Sequence, residues 1–171
     1  MNYSIDKKFF WFLIALSLFG AFIAALVTSK YGPGVSADAT KYLSIAENLL
    51  NGKGFFDHTG RPLLWWPPLY PLAIAGVSRL TGLDVVFAGG WLNIVVFAVN
   101  IFLHGALIYY AFPDKPLYQY LGGLFVVTSD MAIRIHANIS SEPLFVTFSM
   151  IFLLASADYL QTRSRRALWW M

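Results

Sequence analysis

Between Asp84 and Asp114 the chain runs from Val85 to Phe112 without one charged side chain. A helix needs only about 20 apolar residues to cross a bilayer core. A second uncharged run, Phe9 to Thr28, meets the same length. Lipid offers the backbone no hydrogen bonds, so such runs must close their own as helices. Composition agrees. Of 171 residues, 58% are hydrophobic and 12% are charged, against about 25% charged in a soluble domain. The expected fold class is all-α: a polytopic membrane helix bundle of four transmembrane helices with outer juxtamembrane helices. Without cysteine there is no disulfide framework and no thiolate metal site. The net charge of +3 gathers near span ends, which marks topology rather than a nucleic-acid surface.

The spans expected are 9–28, 85–112, 117–136 and 143–161. The third continues past Ser129 through Asp130 and Arg134 towards His136. Lys7 and Lys8 precede the first span, so the N-terminus is expected in the cytoplasm. That run is too long for a signal peptide, and no small-x-small cleavage site follows it. Arg163, Arg165 and Arg166 follow the last span and are expected on the same side. Pro68 to Thr81 is apolar but short, and it carries Arg79. As a fifth span it would place the three arginines outside, so it reads as a juxtamembrane helix. Residues 29–84 then form one outer segment, Pro113-Asp114-Lys115-Pro116 a cytoplasmic turn, and 137–142 a short outer loop. A multi-pass protein of the inner (plasma) membrane is the expectation, with membrane lipid around it. The ending Arg165-Arg166-Ala167-Leu168-Trp169-Trp170-Met171 resembles the start of a further apolar segment, which reads as a fragment.

Two carboxylates fall on the same outer side in this topology. Asp38 follows the first span, and Glu142 opens the last one before Pro143. Ionisable groups at membrane depth are costly unless paired or wet, which makes them functional candidates. Each also suits the positive end of a helix as a first-turn acid. Ser36 is an N-cap and Asn51-Gly52 a stop signal. Between them Ala39, Tyr42, Leu43, Ala46, Leu49 and Leu50 keep helical spacing, opposite Lys41, Ser44 and Asn48. Gly52-Lys53-Gly54 and His58-Thr59-Gly60-Arg61-Pro62 are loop signals. Lys53, His58 and Arg61 could meet a phosphate by charge-assisted hydrogen bonds, or stand solvated. Arg134 and His136 fall near the outer mouth, where they could hold an anion, although Arg134 can also pair with Asp130 one turn away. Trp65-Trp66 suits an aromatic belt or a stacking platform. Asn93, Asn100 and His104 share a helix face and suit interhelical hydrogen bonding. No nucleotide-binding loop, dinucleotide fingerprint or His-Glu-x-x-His metal helix occurs.

The order of these features resembles the GT-C class of integral membrane glycosyltransferases, in particular bacterial relatives of protein O-mannosyltransferases and of lipid A aminoarabinose transferases. The resemblance rests on Asp38-Ala-Thr-Lys-Tyr-Leu-Ser-Ile-Ala-Glu-Asn-Leu-Leu-Asn-Gly-Lys-Gly-Phe55, on Trp66-Pro-Pro-Leu-Tyr-Pro-Leu72 and on Ser141-Glu-Pro-Leu-Phe145. It makes residues 1–171 the N-terminal part of a GT-C transmembrane domain. It implies a polyprenyl-phosphate-linked sugar as donor and transfer to an acceptor hydroxyl on the outer face. Asp38 matches the family's catalytic acid of the first outer loop, and Glu142 matches a later acidic position that orients a substrate or helps hold a metal. Lys53, His58, Arg61, Arg134 and His136 are the candidate substrate-binding residues. Many relatives carry paired acids in the first loop, whereas Ala39 follows Asp38 here, so a divalent metal stays an open question. The competing reading is a non-enzymatic small membrane protein, such as a transporter subunit or scaffold, or an inactive fragment.

Overall fold

A computed structural model describes residues 5–162. Among them every regular element is a helix: α1 (Lys7–Ser29), α2 (Ala37–Leu50), α3 (Leu69–Thr81), α4 (Val85–Ala111), α5 (Pro116–Thr128), α6 (Asp130–Ala137) and α7 (Glu142–Thr162). Three are long and apolar enough to cross a membrane: Lys7–Ser29, Val85–Ala111 and Glu142–Leu160. The arginines at 163, 165 and 166 lie outside the described residues.

The third expected span is not one helix. Ser129 has extended backbone (φ −73°, ψ 112°), which ends α5 and opens α6. Its hydroxyl accepts the Ala132 N–H at 3.3 Å, capping the new helix instead of continuing the old one. The 13 residues of α5 reach only about 20 Å as helix, short of a bilayer core of about 30 Å.

The other boundaries follow local chemistry. Asp84 caps α4 by accepting the N–H groups of Val86 and Phe87 at 2.9 and 3.1 Å. Ser36 caps α2 through Ala39 N–H at 3.2 Å, and Gly52 turns the chain after Asn51 with φ +71°. Pro116 takes the start of α5, where its missing N–H costs no helix bond.

Helix α4 is the axis of the fold. On one side Leu16 and Ala24 of α1, Val127 of α5 and Ile94, Phe97 and Ile101 of α4 form one buried cluster. Two glycines let α1 and α4 close up: a Cβ at Gly20 would strike Ile101, and one at Gly105 would strike Leu13. Towards the other end Tyr42 and Ala46 of α2, Tyr70 and Ile74 of α3, Ala88 of α4 and Ile139 form a second cluster. The candidate site sits against this second cluster.

Candidate functional site

The chain after α1 and the chain after α6 are stitched together by backbone. Gly34 N–H donates to the Ala137 carbonyl at 2.9 Å, and Ile139 N–H donates to the Gly34 carbonyl at 2.8 Å. The approach is so close that a Cβ on Gly34 would overlap the Asn138 side chain. This pairing brings the start of α2 beside the start of α7.

Two tyrosines hold that junction. The Tyr42 hydroxyl lies 3.0 Å from the Ser141 hydroxyl. Its ring meets Tyr70 edge-to-face, with centroids 5.0 Å apart. The Tyr70 hydroxyl donates to Asn93 Oδ1 at 3.2 Å and accepts the Ser140 N–H at 3.0 Å. Asn93 Nδ2 then donates to the Asn138 carbonyl at 2.6 Å. The turn 138–141 is thus fixed from α2, α3 and α4 together.

Asp38 lies one turn before Tyr42, and Glu142 directly follows Ser141; both are exposed. Burial raises the Tyr42 phenol above the ordinary tyrosine range; the Ser141 hydrogen bond opposes this, and the charges of Glu142 and then Asp38 add to the rise. Both carboxylates therefore lie near one phenol. Burial pushes the Tyr70 phenol higher still, against the hydrogen bonds it makes.

The expected cations divide into two groups. Lys53, His58 and Arg61 are exposed on a tight hairpin in which Phe56 pairs with Pro62. Asp57 organises its tip, accepting from the Thr59 N–H, the Thr59 hydroxyl and the Arg61 N–H at 2.8, 2.6 and 3.0 Å. Those bonds, the Thr59 hydroxyl first, hold the Asp57 carboxyl below its usual range. The hairpin is fastened to the polar face of α2: Asn48 Nδ2 donates to the Phe56 carbonyl at 2.6 Å, and His58 N–H to the Ser44 hydroxyl at 3.2 Å. On the same face Lys41 stands over the Trp66 ring, 3.8 Å from its centroid. No ion pair joins Lys53, His58 or Arg61 to Asp38 or Glu142 among the described residues.

Arg134 and His136 are not brought to the carboxylates. Arg134 pairs with Asp130 at 2.7 Å, with both side chains mostly exposed. His136 is buried behind the junction. Its Nδ1 donates to the Ala132 carbonyl at 2.7 Å, since a carbonyl can only accept. Its Nε2 therefore accepts from Asn100 Nδ2 at 2.9 Å. The same amide nitrogen donates to the Pro143 carbonyl at 3.0 Å, and Asn100 Oδ1 accepts from Thr147 at 2.7 Å. Both ring nitrogens are taken, so His136 locks α6 and α7 to α4 and has no free edge for an anion.

Sequence reasoning assigned Tyr42 to packing and gave Ser141 and Tyr70 no role. The available signal was position: Tyr42 one turn after Asp38, Ser141 one residue before Glu142. Among the described residues no three His, Asp or Glu side chains gather as a metal would require, so these residues do not by themselves fit a metal centre. No protein-family model matches the chain, and neither a curated protein nor a solved structure matches it.

Proposed function

We propose that the chain acts as a membrane glycosyltransferase that moves a sugar from a polyprenyl-phosphate donor to an acceptor hydroxyl, at the outer face of the inner (plasma) membrane. One observation carries this reading: Tyr42, one turn after Asp38, lies 3.0 Å from the hydroxyl of Ser141, the residue before Glu142, so the two carboxylate-bearing helix starts meet at one end of the bundle. The likeness of the Asp38–Phe55, Trp66–Leu72 and Ser141–Phe145 segments to GT-C enzymes supplies the reaction class. In this reading the Asp38 carboxylate takes the proton from the acceptor hydroxyl as its oxygen bonds to the anomeric carbon. The bond from that carbon to the lipid phosphate breaks, and the phosphate leaves with the electron pair. Lys53 and Arg61, exposed beside α2, are the cations free to steady that charge, while His58 shares their hairpin. Glu142 orients the acceptor or the donor.

The test is transfer from a radiolabelled polyprenyl-phosphate sugar in membranes carrying the native chain or Asp38→Asn. The expected result is transfer by the native chain and its loss in the variant, with membrane insertion unchanged. Transfer at the native rate by Asp38→Asn refutes the assignment of the base.

A transporter subunit or scaffold is the second reading. It is favoured by α7, which is hardly buried against the rest of the bundle and leaves Phe145, Phe148, Phe152 and Leu153 exposed. It requires that Asp38→Asn be silent and that a defined membrane partner co-purify.

A further inference from the structure

Helices α1 and α4 meet along a crease that is filled on one side only. On that side α5 packs so closely that a Cβ on Gly122 would crowd Ile108 and one on Gly123 would crowd Leu16. The other side holds three hollows of about 300, 310 and 420 Å³. The first lies between Ala25 and Ser29 of α1 and Phe87 and Trp91 of α4. The second lies between Ile14 and Leu18 of α1 and Ala98 and Val99 of α4. The third shares Phe102 and Leu103 with the second and runs on to Tyr110, where Leu154 and Ala157 of α7 wall it.

The hollows follow one line. Along α4 it passes Trp91, Ile94, Ala98, Phe102, Ala106 and Tyr110, in steps of three and four that keep to one ridge. Its rims are open: Leu18, Trp91 and Val99 are 66%, 51% and 40% exposed. From Trp91 to Tyr110 the helix rises about 28 Å, close to a whole bilayer core of about 30 Å. A phospholipid tail fills one leaflet and would leave half of the line empty. Charge gives an occupant its direction. Asp158 lines the hollow at the far end. Lys30 is exposed between Ser29 and Gly32, which line the first hollow. Pro33, in the same wall, precedes Gly34, whose backbone is stitched to Ala137 and Ile139 beside the candidate site. An anionic head therefore belongs at the Asp38 end, where Lys30 can meet it.

We propose that the crease between α1 and α4 seats one long isoprenoid chain, with its phosphate at Lys30. The length of the crease selects a chain that reaches through both leaflets, and Lys30 against Asp158 sets which way it points. The phosphate then lies at the end of the bundle that carries Asp38 and Glu142. The seat stands on the crease alone; calling its lipid the sugar donor rests on the reaction proposed above.

Photocrosslinking in phosphatidylcholine nanodiscs tests this. Benzoylphenylalanine would stand in place of Leu18, on the crease, or of Phe148, exposed on α7 away from it. Each protein would be given undecaprenyl phosphate, farnesyl phosphate or dioleoyl phosphatidic acid, and adducts counted by mass. Position 18 is expected to capture undecaprenyl phosphate severalfold more than position 148 does, and severalfold more than it captures the two shorter phosphates. Ala98→Phe, which fills the middle hollow, should remove that excess. Val99→Trp, at its exposed rim, should do the same without entering the core. Lys30→Gln should lower capture of undecaprenyl phosphate severalfold and leave capture of undecaprenol unchanged. Equal capture at 18 and 148 would mean bulk lipid only, and equal capture of phosphatidic acid at 18 would mean a phospholipid seat; either overturns the proposal. So does an excess that survives both filling variants. No effect of Lys30→Gln refutes the placement of the phosphate. Capture without any sugar transfer leaves the seat standing and counts against the reaction alone.

Discussion

Replacing Asn100 by Leu tests the buried polar lock that fixes α6 and α7 to α4. The two side chains branch alike with the same number of heavy atoms, so the change removes hydrogen bonds without opening a cavity. Three bonds are lost: to His136 Nε2, to the Pro143 carbonyl and from Thr147. Interhelical hydrogen bonds in membranes average about 0.6 kcal/mol each, which gives about 2 kcal/mol for three. The Pro143 carbonyl keeps the Thr147 hydroxyl at 3.0 Å, but His136 Nε2 is left buried with no donor. A stranded buried acceptor costs about 1–3 kcal/mol, so the expected total is about 3 kcal/mol. That corresponds to a folded-to-unfolded ratio lower by on the order of 100-fold. Reversible unfolding in bicelles, driven by steric trapping, measures it. Thr147→Val loses its bonds to Asn100 Oδ1 and to the Pro143 carbonyl and should cost about 1 kcal/mol. In the Asn100→Leu background the same change should cost about half as much, because only its bond to the Pro143 carbonyl remains. Asn100→Leu within about 0.5 kcal/mol of the parent would refute the lock. Strict additivity of the two changes would refute it as well.

Two further outcomes follow from the junction of α2 with α7. Gly34→Ala should weaken the fold by about 1 kcal/mol, because Asn138 must swing away and drop its 2.6 Å bond to the Arg134 carbonyl; in the Asn138→Ala background, where that bond is already absent, Gly34→Ala should cost little in the same unfolding assay. The Tyr42 and Tyr70 phenols are raised by burial, so the folded state keeps their protons longer than the unfolded chain does. Their contribution is full below the ordinary tyrosine value of about 10 and is lost as pH rises through the folded values. Tyrosinate absorbance should show late-titrating groups, one of which disappears in Tyr42→Phe; an unchanged titration would contradict the buried placement of that phenol.

Much of this architecture is legible in the sequence because membrane physics writes it in long words. The uncharged runs place α1, α4 and α7 within a few residues, and Ser36 and Asn51-Gly52 bracket α2 correctly. The break at Ser129 was readable as well, since a serine followed by Asp130 is a cap signal. Hydropathy hid it, because the flanking residues stay apolar enough to seem continuous. Rotation was the harder problem. Arg134 and His136 are two residues apart, which puts them on different sides of a helix. Nearness to the outer mouth could not tell that one faces Asp130 and the other Asn100. The meeting of the starts of α2 and α7 at Tyr42 and Ser141 depends on Gly34 meeting Ala137 and Ile139, a contact with no local pattern at all.

That contact also sets an order of events during synthesis. Gly34 leaves the ribosome early, and its partners Ala137 and Ile139 come more than a hundred residues later. Helix α1 can insert, and α2 can coil behind its serine cap, while the two backbone bonds that join α2 to the start of α7 still have no counterpart. The segment between α1 and α4 must wait, unlatched, until α6 has been made. Damage to α6 should therefore be felt first at Asp38, on a helix far from it in sequence.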